Sequence, residues 1–277
     1  MDSALTTTNL CKTYGKHEVL RDVNLRVPTG AVYGFVGANG AGKTTTIRIL
    51  LGLARATSGS ATVLGVQRGS LPPTPVEGVS YLPDVPNISP WLSPKDALIS
   101  FARLEGTSAD VASGRADDLL DLVGLRHASG KVGSFSRGMK QRLGIAASLI
   151  TAPRLLILDE PTSALDPMGR ADVLSIIREL SGHATVMFSS HILGDVEKVS
   201  THIGLLHRGR LLAQGRLEEL LAESGNTQAH LMVSARAELR REVVEAIRAV
   251  DPGAVVEPGV QGLERFYEGL VARGEAR

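Results

Sequence analysis

Apolar and polar positions alternate over the first thirty residues, as in LTTTNLCKTY and VLRDVNLRV, a pattern typical of half-buried strands. AVYGFVG, LLILD and ATVMFSSH are apolar runs of strand length, ATVLGV predicts another strand, and HIGLLHRGRLLAQG predicts a hairpin. Between these runs, TTTIRILLGLA and ADVLSIIREL repeat their apolar residues at helical spacing. Strands that alternate with helices predict an α/β fold with a mostly parallel sheet and helices on both faces.

The pattern changes after about residue 86, where PKDALISFARLEG and RADDLLDLVGL have helical spacing and glycine stops. Beyond Leu220, AELRREVVEAIRAV and LERFYEGLVARGE predict amphipathic helices around a weak strand, GAVVEP. We therefore predict a main domain over residues 1–220, with a helical insert at about 86–148. Residues 221–277 are predicted to form a small C-terminal α/β accessory region.

Composition narrows the class of protein. The net charge of +1 creates no overall field that would recruit nucleic acid or anionic lipid. The single cysteine, Cys11, excludes an internal disulfide and fits a reducing cytosol. Apolar runs stop far short of the roughly 18 residues of a membrane-spanning helix, and DSALTTTNL has no features of a secretory signal. The sequence predicts a protein that is at most peripheral to a membrane.

The segment GANGAGKTT fits the phosphate-loop pattern G-x-x-x-x-G-K-[ST] and stands between a predicted strand and a predicted helix. Glycines allow backbone N–H groups to point at phosphate oxygens without a Cβ in the way. Lys43 supplies a positive charge for the β- and γ-phosphates, and the Thr44 hydroxyl is suited to Mg²⁺. The alternative is a glycine-rich turn before a helix. The predicted nucleotide-binding residues of this segment are Gly37, Asn39, Gly40, Ala41, Gly42, Lys43, Thr44 and Thr45.

Asp159 and Glu160 directly follow the apolar run LLIL, and His191 closes TVMFSSH in the same way. A carboxylate at the carboxyl edge of the sheet, near the phosphate loop, is suited to hold Mg²⁺, which predicts Asp159 as a ligand. Glu160 is predicted to polarise the attacking water, and His191 to sense the γ-phosphate. Taken alone, the acidic pair is also compatible with a solvated turn, and the histidine with a surface or core residue.

A second candidate phosphate site lies in FSRGMKQR, where Ser136 and Gly138 stand just before the helical run LGIAASLI. The exposed N–H groups at a helix start attract anions. Two such sites in one chain call for an explanation.

The segments GANGAGKTT, FSRGMKQR, LLILDEPTSALD and SSH, in this order, resemble the nucleotide-binding subunit of ATP-binding cassette (ABC) transporters over about Leu5 to Leu220. The resemblance implies a P-loop NTPase core with an antiparallel β subdomain and an inserted helical subdomain. It also implies that two such subunits, most simply identical ones, pair head-to-tail. Ser136 and Gly138 in the signature loop would then contact the γ-phosphate bound to the partner's phosphate loop.

The resemblance assigns further roles. Tyr14 in KTYGK matches the aromatic residue that stacks on adenine, although a tyrosine that packs locally is the alternative. The segment SALD at 163–166 matches the loop that signals between the two sites, or is a simple turn before a helix. The family usually has Leu-Ser-Gly-Gly-Gln at 135–139, whereas this chain has Arg137 and Met139. Arg137 either adds charge near the triphosphate or faces solvent.

In YLPDVPN the family commonly has Gln, and a subset has Glu, where this chain has Asp84. Asp84 is predicted as a metal-site residue, with a carboxylate that reaches about 1.5 Å less than that of Glu. The alternative is a capping Asp in a proline-rich turn. A carboxylic residue here, with FSRGMKQR downstream, resembles the ATPases of drug- and antibiotic-resistance exporters.

The resemblance implies an ATPase that uses ATP and Mg²⁺ and powers export through a separately encoded transmembrane permease. It would work as a dimer of ATP-binding subunits on the cytoplasmic face of the membrane, with no nucleic acid partner. The alternative is a soluble ABC-type ATPase that acts on nucleic acid or ribosomes. A P-loop GTPase or kinase would leave FSRGMKQR and SALD unexplained.

Overall fold

The structure, a computed structural model, describes residues 2–68, 75–163, 165–223 and 239–250. Two compact units are formed by Met1–Leu220 and Leu221–Arg277. The strands are β1 Ser3–Tyr14, β2 His17–Val23, β3 Arg26–Pro28, β4 Val32–Val36, β5 Ser58–Val63, β6 Val66–Arg68, β7 Val79–Leu82, β8 Leu155–Leu158, β9 Thr185–Ser190, β10 His202–His207 and β11 Arg210–Arg216. The helices are α1 Lys43–Leu50, α2 Pro94–Leu104, α3 Ala109–Leu122, α4 Arg137–Leu149, α5 Pro167–Glu179, α6 Leu193–Val199, α7 Leu217–Glu223 and α8 Arg240–Val250.

The six-stranded sheet has the order β11-β10-β4-β9-β8-β7 and is parallel except for the β10–β11 hairpin. Every residue of β4, β8 and β9 is buried, as expected for central strands of a parallel sheet covered on both faces. This explains why their sequences are apolar runs without alternation. The predicted mostly parallel α/β fold is confirmed.

A second sheet is antiparallel, with the order β2-β1-β5-β6 and with β3 paired to β1. The alternation predicted for the first thirty residues corresponds to β1, β2 and β3. The buried side chains of this antiparallel sheet join those of β4, β8 and α1 in one apolar cluster. Leu10, Phe35 and Ile47 of this cluster are fully buried. The long helix-forming connection between β7 and β8 contains α2, α3 and α4, which contact one another.

Four of the described elements were absent from the sequence prediction: β6, β7, α6 and α7. Of β6, only Val66 lies within the predicted strand ATVLGV. Strand β7 has only four residues, and three of them are half-buried, so its apolar signal is weak. Helix α6 spans only seven residues and has no side-chain cap. In the C-terminal unit the described helix α8 lies within the predicted helix AELRREVVEAIRAV. The predicted strand GAVVEP and helix LERFYEGLVARGE lie outside the described residues.

Across the described ranges, the structure contains no helix with the length and hydropathy needed to cross a bilayer.

Candidate nucleotide-binding site

The phosphate loop connects β4 to α1 and lies against β10. A Cβ added to Gly37 would lie 2.3 Å from the carbonyl oxygen of Leu206, so only glycine fits this approach of two backbones. Gly42 has φ 111°, a left-handed conformation that glycine adopts without strain. Between them, Asn39 and Gly40 are exposed at the turn. The glycine pattern of the motif therefore has a direct steric cause.

Helix α1 begins at Lys43 without a side-chain cap. By contrast, Ser93, Ser136 and Asp166 cap α2, α4 and α5. The first N–H groups of a helix have no partner inside the helix and carry its positive dipole end. At α1 these donors meet no competing side chain, which suits them to phosphate oxygens.

The Lys43 side chain is nearly buried, at 5% exposure. Its Nζ donates to the carbonyl of Gly37 at 2.6 Å and forms an ion pair with Oε1 of Glu160 at 3.0 Å. Thr44, next along α1, is exposed, and Thr45 is half-buried. Ala41 is buried, and its N–H donates to the carbonyl of Ala38 at 3.1 Å.

Asp159 follows β8 and is buried, at 4% exposure. Its Oδ1 accepts from the hydroxyl of Ser189 at 2.7 Å and, more weakly, from that of Thr44 at 3.4 Å. Burial and the negative charge of nearby Asp159 raise the pKa of Tyr81 to about 12. The hydroxyl of Ser189 on β9 therefore holds a carboxylate that faces the start of α1.

Glu160 has φ 49°, which is strained for a residue with a side chain. Its backbone N–H donates to the hydroxyl of Ser189 at 2.9 Å. Its carboxylate lies between Lys43 and His191. Oε1 forms the ion pair with Lys43, and Oε2 lies 2.8 Å from Nδ1 of His191. The side chain is 15% exposed, and that of His191 is 38% exposed. A carboxylate at this position can accept a proton from a water that enters from the exposed side.

Tyr14 ends β1 and is 48% exposed. The Nζ of Lys12 lies 4.5 Å from the ring centroid, in a cation–π contact, and donates to the carbonyl of Arg55 at 2.7 Å. Tyr14 is thus an exposed aromatic side chain held by a neighbouring lysine. Both interpretations of Tyr14 are compatible with this placement.

The signature residue Ser136 is exposed, and its Oγ accepts from the N–H of Met139 at 3.2 Å as the cap of α4. This leaves its hydroxyl proton available as a donor. Gly138 is half-buried in the first turn of α4. Among the described residues, no hydrogen bond or ion pair joins Ser136 or Gly138 to the phosphate loop of the same chain.

Asp84 contacts Ser163, whose hydroxyl donates to its Oδ1, and Arg137, whose Nη2 lies 3.9 Å from the same oxygen. In the described part of the chain, no hydrogen bond or ion pair links Asp84 to Thr44 or Asp159. The Arg137 side chain is about half exposed, as in the solvent-facing interpretation, and its guanidinium also faces a carboxylate of its own chain, which the sequence analysis did not include.

The structure therefore brings Lys43, Thr44, Asp159, Glu160 and His191 together at the carboxyl edge of the parallel sheet. Sequence reasoning missed Ser189 and Tyr81. Ser189 could have been found from sequence, because it is a polar residue near the end of an apolar strand. The parallel register, in which Leu158 pairs with Phe188, is what brings Ser189 to Asp159. No sequence signal marked Tyr81.

A family model described as ABC transporter matches residues 20–163, more than half of the chain. The chain belongs to the ABC transporter family. The bacitracin transport ATP-binding protein BcrA of Bacillus licheniformis is 41% identical over 217 residues, 77% of this chain and 70% of the relative. The daunorubicin/doxorubicin resistance ATP-binding protein DrrA of Streptomyces peucetius is 36% identical over 243 residues, 86% of this chain and 74% of the relative.

Among solved structures, an ATP-binding subunit of an ABC transporter superposes with a TM-score of 0.72 at 30% identity. The match covers 87% of this chain and all of that one. The predicted family and the ABC-type P-loop NTPase fold are confirmed, and the chain is an ABC-type ATPase, a nucleotide-binding class.

Proposed function

We propose that this ABC ATPase powers an exporter by dimerising around ATP, with a separately encoded permease as its membrane-spanning partner. The observation that carries the proposal is that the two segments predicted to bind phosphate, at the starts of α1 and α4, lie apart in one chain. The start of α1 carries Lys43, whereas the exposed start of α4, with Ser136 and Gly138, has no hydrogen bond or ion pair to the phosphate loop of its own chain in the described ranges. A second subunit would supply its nucleotide.

In this proposal, the loop from Gly37 to Thr45 and the ammonium of Lys43 bind the phosphates of ATP. Glu160 accepts a proton from the attacking water, whose oxygen bonds to the γ-phosphorus while the bond to the ADP oxygen breaks. His191 holds Glu160 in place. Exposed Tyr14 stacks on adenine through the face that Lys12 leaves open. The hydroxyl of Ser136 and the N–H groups at Gly138 donate to the γ-phosphate across the dimer.

Mg²⁺ fits the residues present. Among the described residues, no group of three or more His, Cys, Asp or Glu side chains could hold a metal ion alone. Mg²⁺ is usually held by one or two side-chain oxygens together with substrate phosphates, and Thr44 and Asp159 present two such oxygens at the phosphate loop. When bound, the ion would neutralise charge on the β- and γ-phosphates. The role of Asp84 in the metal site stays a prediction.

The permease surface is proposed to include the segment after Asp84 and the helices between β7 and β8. Val85 and Trp91 are each 66% exposed, and Leu104 is 81% exposed. We propose that these side chains contribute to the apolar part of the permease contact. Attachment to a permease would place the chain at the cytoplasmic face of the membrane.

The transport role is favoured over a soluble ABC ATPase that acts on nucleic acid or ribosomes. Relatives 36% and 41% identical are named as drug-resistance or antibiotic-transport ATP-binding proteins. The net charge of +1 offers little attraction for a phosphate backbone. We propose residues 1–220 as the ATPase domain and 221–277 as an accessory region.

The test uses Glu160→Gln in the full chain. This variant keeps the size of the side chain but cannot accept the proton, so we expect hydrolysis to fall at least about 100-fold. With ATP and Mg²⁺, light scattering should show a stable dimer that disperses when ATP is removed. A variant that remains monomeric at saturating ATP would overturn the shared-site proposal. ATPase activity stimulated by nucleic acid, and not by membranes containing the permease, would overturn the transport role.

A further inference from the structure

Two of the positions at which this chain departs from its family pattern, Asp84 and Arg137, meet in space. The Nη2 atom of Arg137 lies 3.9 Å from Oδ1 of Asp84, and the hydroxyl of Ser163 donates to that same oxygen. The side chains of Arg137 and Asp84 are 52% and 49% exposed. One oxygen of the Asp84 carboxylate therefore connects three parts of the chain: the segment after β7, the start of α4 and the segment between β8 and α5.

The position of Arg137 in α4 gives this contact a physical reason. Arg137 is the first residue of α4, and the first turn contains no acidic residue. A cation at the positive end of a helix dipole is unfavourable. The carboxylate of Asp84 comes from outside the helix and offsets both the guanidinium and the dipole charge. Arg137 alone would lack this compensation.

Helix α4 also approaches α5 closely at the same end. A Cβ added to Gly138 would lie 4.0 Å from the Cα of Gly169 in the first turn of α5. One turn further along, Arg142 forms an ion pair with Asp172 of α5 at 3.5 Å. The start of α4 is thus packed against the α5 end of the SALD segment, and the Arg137–Asp84–Ser163 contact lies at this junction.

We propose that Arg137 is a positioning residue. Through Asp84, it ties the signature loop to the SALD segment of the same chain and so sets the direction in which Ser136 and Gly138 face a second subunit. These two departures from the family pattern, Asp84 and Arg137, act as one ion-paired unit. This inference rests on the proposed shared nucleotide site.

The test is a double-mutant cycle in the full chain with Arg137→Gln, Asp84→Asn and both together. Asp84→Asn keeps an acceptor for Ser163 and removes only the charge. Each single variant is expected to raise the ATP concentration for half-maximal hydrolysis about two- to fivefold, the range of an exposed ion pair. The double variant should be no worse than either single one. Binding of a fluorescent ATP analogue to the isolated chain should not change.

Two further measurements identify the ion pair as the cause. Arg137→Lys should restore most of the loss, because it keeps the charge. In 1 M salt, where the Debye length is about 3 Å, the wild-type chain and the variants should converge. The matched control is Arg216→Gln with Glu219→Gln, an exposed ion pair (54% and 67%) whose Nε and Oε1 atoms lie 3.6 Å apart where β11 meets α7. This control should leave hydrolysis unchanged.

The possible outcomes separate this inference from the proposed function. Additive effects in the cycle, or a loss with Arg137→Gln and none with Asp84→Asn, would overturn the positioning role and assign Arg137 to another contact. An equal loss in the control pair would also overturn it. If the cycle shows coupling but Glu160→Gln fails to dimerise with ATP, the proposed site shared between two subunits is overturned. The coupling between Arg137 and Asp84 would then act within a single chain.

Discussion

The Nδ1 atom of His191 lies 2.8 Å from Oε2 of Glu160, while the other oxygen of that carboxylate pairs with Lys43 at 3.0 Å. Glu160 is therefore fixed from both sides, although its own backbone is strained at φ 49°. A base for water must be held in one direction, and two partners on different elements achieve this.

We expect His191→Ala to lower kcat about 10- to 100-fold, because Glu160 would lose the partner that orients it toward water. The KM for ATP should change much less, since Lys43 and the phosphate loop remain. Phosphate release at several ATP concentrations measures both constants. His183→Ala, in the turn before β9, is the control and should leave both constants unchanged. A large rise in KM with kcat preserved would show that His191 serves binding instead.

Ser189 supports both acidic residues from β9. Its hydroxyl donates to Asp159 at 2.7 Å and accepts from the N–H of Glu160 at 2.9 Å, and it is fully buried. Ser189→Ala leaves these two buried groups without that partner, which costs about 1–3 kcal/mol. We expect a lower midpoint of thermal unfolding and a higher Mg²⁺ concentration for half-maximal hydrolysis.

The control for this prediction is the neighbouring Ser190→Ala. The Ser190 hydroxyl is equally buried but bonds only to the backbone of Ile192, at 2.9 and 3.3 Å. It should lower thermal stability without changing the Mg²⁺ requirement. An unchanged Mg²⁺ requirement in Ser189→Ala would mean that Asp159 does not need this hydroxyl for its role.

The parts of the fold that sequence predicted well have strong local causes. Strand β8 is four apolar residues buried on both faces, and the loop before α1 needs glycine for steric reasons at Gly37 and Gly42. Such constraints leave their mark in residue type and spacing. The same holds for His191 and Asp159, which follow buried strands whose ends meet at one edge of the sheet.

The contacts that sequence could not predict depend on tertiary structure. Arg137 and Asp84 are 53 positions apart by their numbering, and their meeting depends on how α4 packs against the end of β7. Tyr81 carries no motif, and its approach to Asp159 follows from the pairing of β7 with β8. Single-sequence reasoning could name Arg137 and Asp84 as departures from the family pattern, but it had no means to place them side by side.

Gly37 and Gly40 offer a matched comparison within the phosphate loop. A Cβ at Gly37 would meet the backbone oxygen of Leu206 at 2.3 Å, whereas a Cβ at Gly40 has open space and only its left-handed φ of 78° to resist it. Gly37→Ala must therefore displace β10 or the loop, at a cost of about 1–3 kcal/mol or more. Gly40→Ala should cost about 1–2 kcal/mol from backbone strain alone. Thermal unfolding followed by circular dichroism should show a larger drop in midpoint for Gly37→Ala. Equal midpoints would mean that the contact between the loop and β10 relaxes freely, and the steric account of Gly37 would fail.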